Sequence, residues 1–226
     1  MRVAALYDVH GNLPALVAVL AELPDDAAIV VGGDIAAGPF PGETLERLRA
    51  LGERVHWLRG NADRELVPGE EGLAPDDIVE WVRGRLTPEQ LAFLNGLAPT
   101  VELEIDGLGR VLFCHATPQN DLDIFTERTP EDRIASQFAG LDADLVVCGH
   151  THVQFERTIV GLRVVNAGSV GMAYEEEPGA YWMLLGPGIE SRRSPYVLDT
   201  GEYPAEWPSA SRDEAVAYFE TLAVGA

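Results

Sequence analysis

The 226-residue sequence predicts an α/β (α+β) protein built as a four-layer α/β/β/α sandwich, two mixed sheets face to face with helices outside. Three observations carry this expectation. Residues 3–58 alternate strand-length apolar runs with segments of helical spacing. From Val101 onward, short strand runs follow one another through short connections. Between and after them stand clear helix-start signals, Thr87-Pro88 and Thr129-Pro130.

Val3 to Tyr7 is an apolar run of strand length, and Leu13 to Leu23 has helical spacing. Ala27 to Val31 is a second strand run, ending at Gly32-Gly33-Asp34. Glu43 to Leu51 places Leu45, Leu48 and Leu51 on one helical face. Val55 to Leu58 is a third strand run, ending at Arg59-Gly60-Asn61. The order β-α-β-α-β implies a parallel sheet, and right-handed crossovers put every strand's C-terminal end on one edge. Asp76 to Asn95 reads as one or two helices; within it Thr87 caps and Pro88 takes the first helical position. Val101 to Ile105 and Arg110 to Cys114 form a hairpin around Asp106-Gly107-Leu108-Gly109. Thr129-Pro130-Glu131-Asp132 opens a further helix. Leu145 to Cys148, Val153 to Ile159, Leu162 to Val165 and Tyr181 to Leu185 read as strands, so the second half is expected to be largely antiparallel. Tyr203 to Trp207 reads as an extended linker and Arg212 to Leu222 as a terminal helix. Residues 1–226 read as a single domain, with 199–226 packed on it as linker and helix.

Sixteen basic residues, all arginine, against 37 acidic ones give a formal charge of −21. Gripping nucleic acid along a surface requires a basic stripe, so no long nucleic acid is expected as a partner. An anionic membrane surface is disfavoured for the same reason. A small phosphoester held by metal ions is compatible, because the ions bring their own positive charge. The apolar content of 46% is enough for a full core. Cys114 and Cys148 cannot make a disulfide framework, and both sit in apolar runs where reduced buried cysteine is usual. No apolar run reaches membrane-spanning length, and Asp8, His10 and Pro14 interrupt the start of the chain. A cytoplasmic protein is expected.

Four of the five histidines, His10, His115, His150 and His152, directly follow apolar strand runs; His56 lies inside one. Asp8, Asp34 and Asn61 follow the first three strands. Strand C-termini of open α/β sheets are where ligands bind. Asp8-x-His10 and His150-x-His152 each put two donors on one side of an extended or tight-loop segment. Gly32 and Gly33 let Asp34 approach closely. Oxygen and nitrogen donors without thiolate suit Mn, Fe, Zn, Co or Ni. Seven donors exceed one ion's needs and suit two ions sharing a carboxylate, about 3.5–4 Å apart. Each fragment alone is common in loops; the ordered set is what points to a dinuclear site.

The order Asp8-x-His10, Gly33-Asp34, Gly60-Asn61-x-Asp63, His115, Gly149-His150-x-His152 resembles the calcineurin-like metallophosphoesterases over residues 1 to about 186. His10-Gly11-Asn12, Cys114-His115-Ala116-Thr117-Pro118 and Asn166-Ala167-Gly168-Ser169-Val170-Gly171 are similar to its small single-domain prokaryotic phosphodiesterase branch. The resemblance implies a two-sheet sandwich and two divalent metals, with manganese the expected ion. It implies that Asp8, His10 and His152 hold one ion, that Asn61, His115 and His150 hold the other, and that Asp34 bridges them with a water or hydroxide. Asp34, Asn61 and His150 are the implied catalytic residues. Many members carry histidine directly after the asparagine, facing the leaving group; here that position is Ala62. Asp63 is kept, and its alternative role is that of a helix N-terminal acid.

The implied function is metal-dependent hydrolysis of a small phosphoester, foremost a diester, with a phosphomonoesterase or nucleotide phosphatase as the alternative. A binding scaffold on the same fold ranks low, because it would be expected to have lost ligands. Asn12 could donate to a phosphate or cap the following helix. Arg59 and Arg64 could hold a phosphate or form surface ion pairs. Residues Asn166 to Ser169 could line the site floor or simply end a strand. Glu175-Glu176-Glu177 reads as a solvated acidic loop, and His56 as a packing residue. Trp57, Trp81, Trp182 and Trp207 are expected in the core or at an interface. Oligomeric state and natural substrate are not legible.

Overall fold

A computed structural model describes residues 1–70 and 72–225. Its strands are β1 (Val3–Leu6), β2 (Ala28–Gly32), β3 (Val55–Leu58), β4 (Thr100–Ile105), β5 (Gly109–Cys114), β6 (Leu145–Cys148), β7 (Phe155–Ile159), β8 (Leu162–Asn166), β9 (Ala180–Leu185) and β10 (Ile189–Ser194). Its helices are α1 (Leu13–Glu22), α2 (Pro41–Arg49), α3 (Asn61–Glu65), α4 (Asp76–Arg83), α5 (Pro88–Asn95), α6 (Glu131–Phe138) and α7 (Arg212–Glu220). The first sheet runs β10-β9-β1-β2-β3 and the second β4-β5-β6-β8-β7.

The opening alternation builds as expected: β1, β2 and β3 are parallel, with Val3 opposite Ala28 and Ile29 opposite Val55. In the second half the antiparallel expectation is corrected in part. The β4–β5 and β7–β8 pairs are antiparallel, but β5–β6 and β6–β8 are parallel. The strand after β6 in sequence, β7, lies at the sheet edge beyond β8, so sequence neighbours are not all spatial neighbours. The chain then returns to the first sheet, where β9 pairs with β1 and β10 with β9.

Alternation along β1 explains the layers. Val3, Ala5 and Tyr7 point into an apolar layer between the sheets, with Phe113, Val147 and Val165 of the second sheet. Ala4 and Leu6 point the other way, against Leu16 and Val19 of α1. On the outer face of the second sheet, Val146 and Val164 meet Ile134 and Phe138 of α6. Both faces of both sheets are covered, giving the four layers. Free Cys114 and Cys148 are buried in that last layer. Burial pushes both thiols' pKa up, which keeps them protonated and inert.

Two elements stand where sequence periodicity gives little signal. α3 is five residues long, and β10 is an edge strand of mostly charged, exposed residues. The segment from Asp76 to Asn95 is two helices, and Thr87 caps the second in a reciprocal box with Gln90. Residues 201–211 take no regular structure and cross over the rim; α7 then packs through Ala215 and Val216 on Val153. Among the described residues no helix is long and apolar enough to cross a membrane.

Candidate metal centre

The strand ends deliver seven donor side chains to one place. Asp8, Asp34 and Asn61 come from the first sheet's rim and His115, His150 and His152 from the second's; His10 follows Asp8. Two groups have donor atoms all within 4.8 Å of one another: Asp8, His10, Asp34 and His152, and Asp34, His115 and His150. Asp34 belongs to both. Asn61 joins the second group, with Oδ1 3.0 Å from Nε2 of His115. All seven side chains are buried.

The backbone is bent to bring them there. Among the described residues six non-glycine positions have positive φ, and five are Asp8 (51°), His10 (47°), Asp34 (50°), His150 (70°) and His152 (58°). Left-handed backbone at non-glycine residues stores strain, of order 1–3 kcal/mol each, and such strain clusters at functional sites. Gly60 is required by close approach: a Cβ there would lie 2.1 Å from Oδ1 of Asp34. Gly149 likewise leaves room for Asp8, whose Oδ2 would sit 2.4 Å from an added Cβ.

Hydrogen bonds aim the donors inward. Nδ1 of His10 donates to the Ala37 carbonyl (3.1 Å) and Nδ1 of His115 to that of Gly32 (2.9 Å). A carbonyl can only accept, so in the neutral rings the Nε2 lone pairs point into the cluster. The Asn61 amide donates to Oε1 of Glu65 (2.9 Å), which turns its carbonyl oxygen inward. The backbone N–H of Ala62 donates to Oδ1 of Asp34 (2.8 Å), and that of His150 to Oδ2 of Asp8 (2.9 Å).

What remains unpaired is the informative part. Oδ1 of Asp8 and Nε2 of His150 are buried with no hydrogen-bond partner. Nε2 of His10 and Nε2 of His152 face each other at 3.1 Å. Among the described residues, the ion-pair partners of Asp8 and Asp34 are all imidazoles, 3.4–3.9 Å away. Burying carboxylates without cations is costly, so this donor set fits metal ions. The titration behaviour expresses the same demand. Burial disfavours charge on His115, but the adjacent Asp34 carboxylate outweighs it and raises the imidazole pKa to about 10. Burial and the nearby His115 hold His150 down to about 4. Asp63 is pushed up to about 7 by burial and by Asp34, against N–H donation from Gly60 (3.1 Å) and Ile35 (2.9 Å). Its bond to Gly60 is that of an acid in the first turn of α3.

The remaining sequence candidates find definite places. Asn12 is fully buried. Its Oδ1 accepts from Ala15 N–H as the α1 cap, while Nδ2 donates to the Gly171 carbonyl (2.8 Å) and the Tyr196 hydroxyl (3.1 Å). Of its two readings, the cap is therefore the one present, and both amide hydrogens are engaged inside the protein. Arg64 is in ion pairs with Asp121 (2.9 Å) and Glu70 (3.3 Å). With Arg59 it borders a cleft of about 260 Å³ that also reaches His115. His56 stays in β3 opposite Val30, outside both donor groups. Asn166 ends β8, and its amide holds the 149–152 loop through the Gly149 carbonyl (2.6 Å) and the Thr151 hydroxyl (3.1 Å). Ser169 donates to the Asp8 carbonyl (2.8 Å). The solvated reading of the acidic loop is corrected at Glu175. Its side chain is 8% exposed, and it accepts from Arg212 (2.8 Å) and from Gln154 N–H (2.6 Å). Trp182 is a core residue, and Trp57 is partly buried against the same core.

Sequence reasoning missed two neighbours. Glu65 stands four residues after Asn61 on α3, a spacing that could have revealed it. Tyr174 stacks on His152 with ring centroids 5.3 Å apart, and no local pattern marks it. Tyr174 helps line a cavity of about 420 Å³ whose floor includes His10, Asp34, Asn61, His150 and His152.

The family model of the calcineurin-like phosphoesterase superfamily domain matches residues 1–185, and the chain belongs to that family. As such it is a phosphoester hydrolase. It is 30% identical to uncharacterized protein MJ0912 of Methanocaldococcus jannaschii, over 82% of this chain and 74% of that protein. It is 31% identical to a symmetrical bis(5'-nucleosyl)-tetraphosphatase of Klebsiella pneumoniae, over 54% of this chain and 46% of the relative. The chain thus spans about half the length of that enzyme. A metallophosphoesterase from Sphaerobacter thermophilus superposes with a TM-score of 0.69 at 27% identity, covering 87% of this chain and 89% of that one. Hypothetical protein PH1004 of Pyrococcus horikoshii shares the fold, with a TM-score of 0.76 at 19% identity over 96% and 97% of the two chains.

Proposed function

We propose that the protein hydrolyses small phosphodiesters at a dinuclear metal site. The observation that carries this reading is the pair of buried donor groups that share Asp34. Asp8, His10 and His152 would hold one divalent ion, Asn61, His115 and His150 the other, and Asp34 both. Held by these residues, divalent ions would supply Lewis acidity, lowering the pKa of an attacking water and offsetting phosphoryl charge. The chain's own work is placement. Ala37 and Gly32 set the ring orientation of His10 and His115; Glu65 sets that of Asn61. Asp34, Asn61 and His150 are the residues on which rate should depend most. Oxygen and nitrogen donors with no thiolate suit Mn, Fe, Zn, Co or Ni, and the family resemblance makes Mn the first ion to test.

A small ester is favoured over long nucleic acid by the charge of −21. Buried, protonated Cys114 and Cys148 support a cytoplasmic setting. A phosphomonoesterase or nucleotide phosphatase is the second reading, favoured by the likeness to the bis(5'-nucleosyl)-tetraphosphatase. A binding scaffold would not need the complete donor set. The deciding experiment is a metal-by-substrate panel on metal-stripped protein. Restored turnover of bis(p-nitrophenyl) phosphate above that of p-nitrophenyl phosphate, greatest with Mn, supports the proposal. Equal or reversed rates favour the phosphatase; no turnover with any ion favours the scaffold.

A further inference from the structure

The cavity of about 420 Å³ above the donor cluster is walled by apolar side chains from four parts of the chain: Leu73, Ile78, Ile124, Tyr174, Tyr203 and Phe219. Two of these, Tyr203 and Phe219, come from the C-terminal segment, beyond the residues the family model matches. That segment is clamped. The Tyr203 ring lies edge-on to Trp81 (5.3 Å) and Trp207 (5.6 Å), and the Arg85 guanidinium sits 3.5 Å over Trp81. Arg212 is held by Glu175, Glu127 and the Gln154 carbonyl. From Phe219 the aromatic surface continues to Tyr174 (6.2 Å) and on to His152 (5.3 Å), so it runs to the metal centre itself.

The charges in this cavity select against a second anion. Among the described residues no arginine lines it, and the chain has no lysine. The Glu65 carboxylate is already bound by Asn61, Leu73 N–H and Ala74 N–H, and Glu206 stands exposed at the wall. A phosphate extending from the reacting one would meet carboxylates and no cation. A neutral ring would meet apolar and aromatic walls, in a volume typical of small-molecule sites. Ala62 also lines the cavity, and its short side chain leaves the space beside Asn61 open.

We propose that this cavity is the subsite for a neutral aromatic substituent of the phosphoester, with Tyr203 and Phe219 of the C-terminal segment setting that specificity. The inference rests on the phosphoesterase reading for where the phosphoryl group lies. Its test uses binding, so that the two can fail separately. Phenylphosphonate and methylphosphonate carry carbon–phosphorus bonds that are not esters, and are titrated calorimetrically into the full-length, manganese-loaded protein.

Burial of the ring predicts phenylphosphonate binding about tenfold to a hundredfold tighter than methylphosphonate. Tyr203→Ala and Ile78→Asp should each bring that ratio close to one with bound metal per chain unchanged. Leu222→Ala, on an exposed residue outside the cavity, should keep the wild-type ratio. If Tyr203→Ala does not fold, Ile78→Asp carries the test. A wild-type ratio near one, no binding of either phosphonate, or a ratio that survives in the folded variants overturns the subsite. A Tyr203-dependent ratio in a protein that hydrolyses no ester keeps the subsite and removes the phosphoesterase reading. Diester hydrolysis with a ratio near one does the reverse.

Discussion

The backbone N–H of His150 donates to Oδ2 of Asp8 at 2.9 Å, joining residues 142 positions apart and leaving Oδ1 of the same carboxylate buried without a hydrogen bond. One oxygen thus stitches the two sheet rims together while the other is left free of hydrogen bonds. Neighbouring Tyr7 makes a parallel stitch, its hydroxyl donating to the Val147 carbonyl (2.9 Å). The metal centre is in this sense a seam between the two sheets.

Replacing Asp34 with Asn removes the charge that both donor groups share. Activity should fall by at least about 10³-fold, by analogy with loss of one essential electrostatic contact in a preorganised site. Folding should survive, because the apolar layer between the sheets does not include Asp34. Turnover at saturating metal, with circular dichroism on the same samples, checks this. Near-normal turnover would remove Asp34 from its assigned role.

Elemental analysis or anomalous scattering should find two ions per chain. Saturation at one would sink the dinuclear model. His115→Ala should lower occupancy at the second position most, whereas His56→Ala should leave both filled. Chelation should lower the melting temperature as well as abolish turnover. An ion bound only by the folded chain stabilises it by mass action, about 2.7 kcal/mol at a hundredfold excess over Kd. A melting curve unchanged by chelator and by added Mn would contradict this.

Ala62 offers no proton to a departing group. Rates should therefore depend steeply on leaving-group pKa, with aryl diesters far ahead of alkyl monoesters, since general acid help is typically worth ~10²–10⁴. Ala62→His should raise turnover of poor leaving groups, because residue 62 faces the cavity beside the donors. A leaving-group series under conditions where chemistry limits turnover decides the matter. A flat plot would make His56 and Asp63 the next candidates.

Arg212→Ala should destabilise the fold by about 1–3 kcal/mol, since it leaves the largely buried Glu175 carboxylate without its cation. Glu175→Gln should cost less, because the amide oxygen can still accept from Arg212. Chemical denaturation of both variants orders them; equal stability to the parent chain would show that the pair is dispensable.

Much of this site was legible because its donors sit at strand ends, and strand ends follow from local apolar runs. Asp8, Asp34 and His150 could be placed on one rim before any tertiary information. Features that depend on distant partners were not legible. Glu175 reads as solvated until Arg212 arrives from α7, and the two readings of Arg64, phosphate contact or ion pair, stay open until Asp121 meets it. β10 is missed because an edge strand with a charged, exposed face has no apolar run to announce it. The parallel β6–β8 pairing is hidden because β7 comes between them in sequence but outside them in space. The passage of residues 201–211 over the rim has no local signal at all.

Neither half of the sequence holds a complete donor group. The first half lacks His115, His150 and His152, and the second lacks Asp8, His10 and Asp34, until the later strands have packed against the earlier ones. A growing polypeptide therefore lacks part of the donor set through its first two-thirds. The full donor set is assembled only when residue 152 has emerged and the two sheets have closed. The complete cluster is thus a signature of chains that have assembled both sheets.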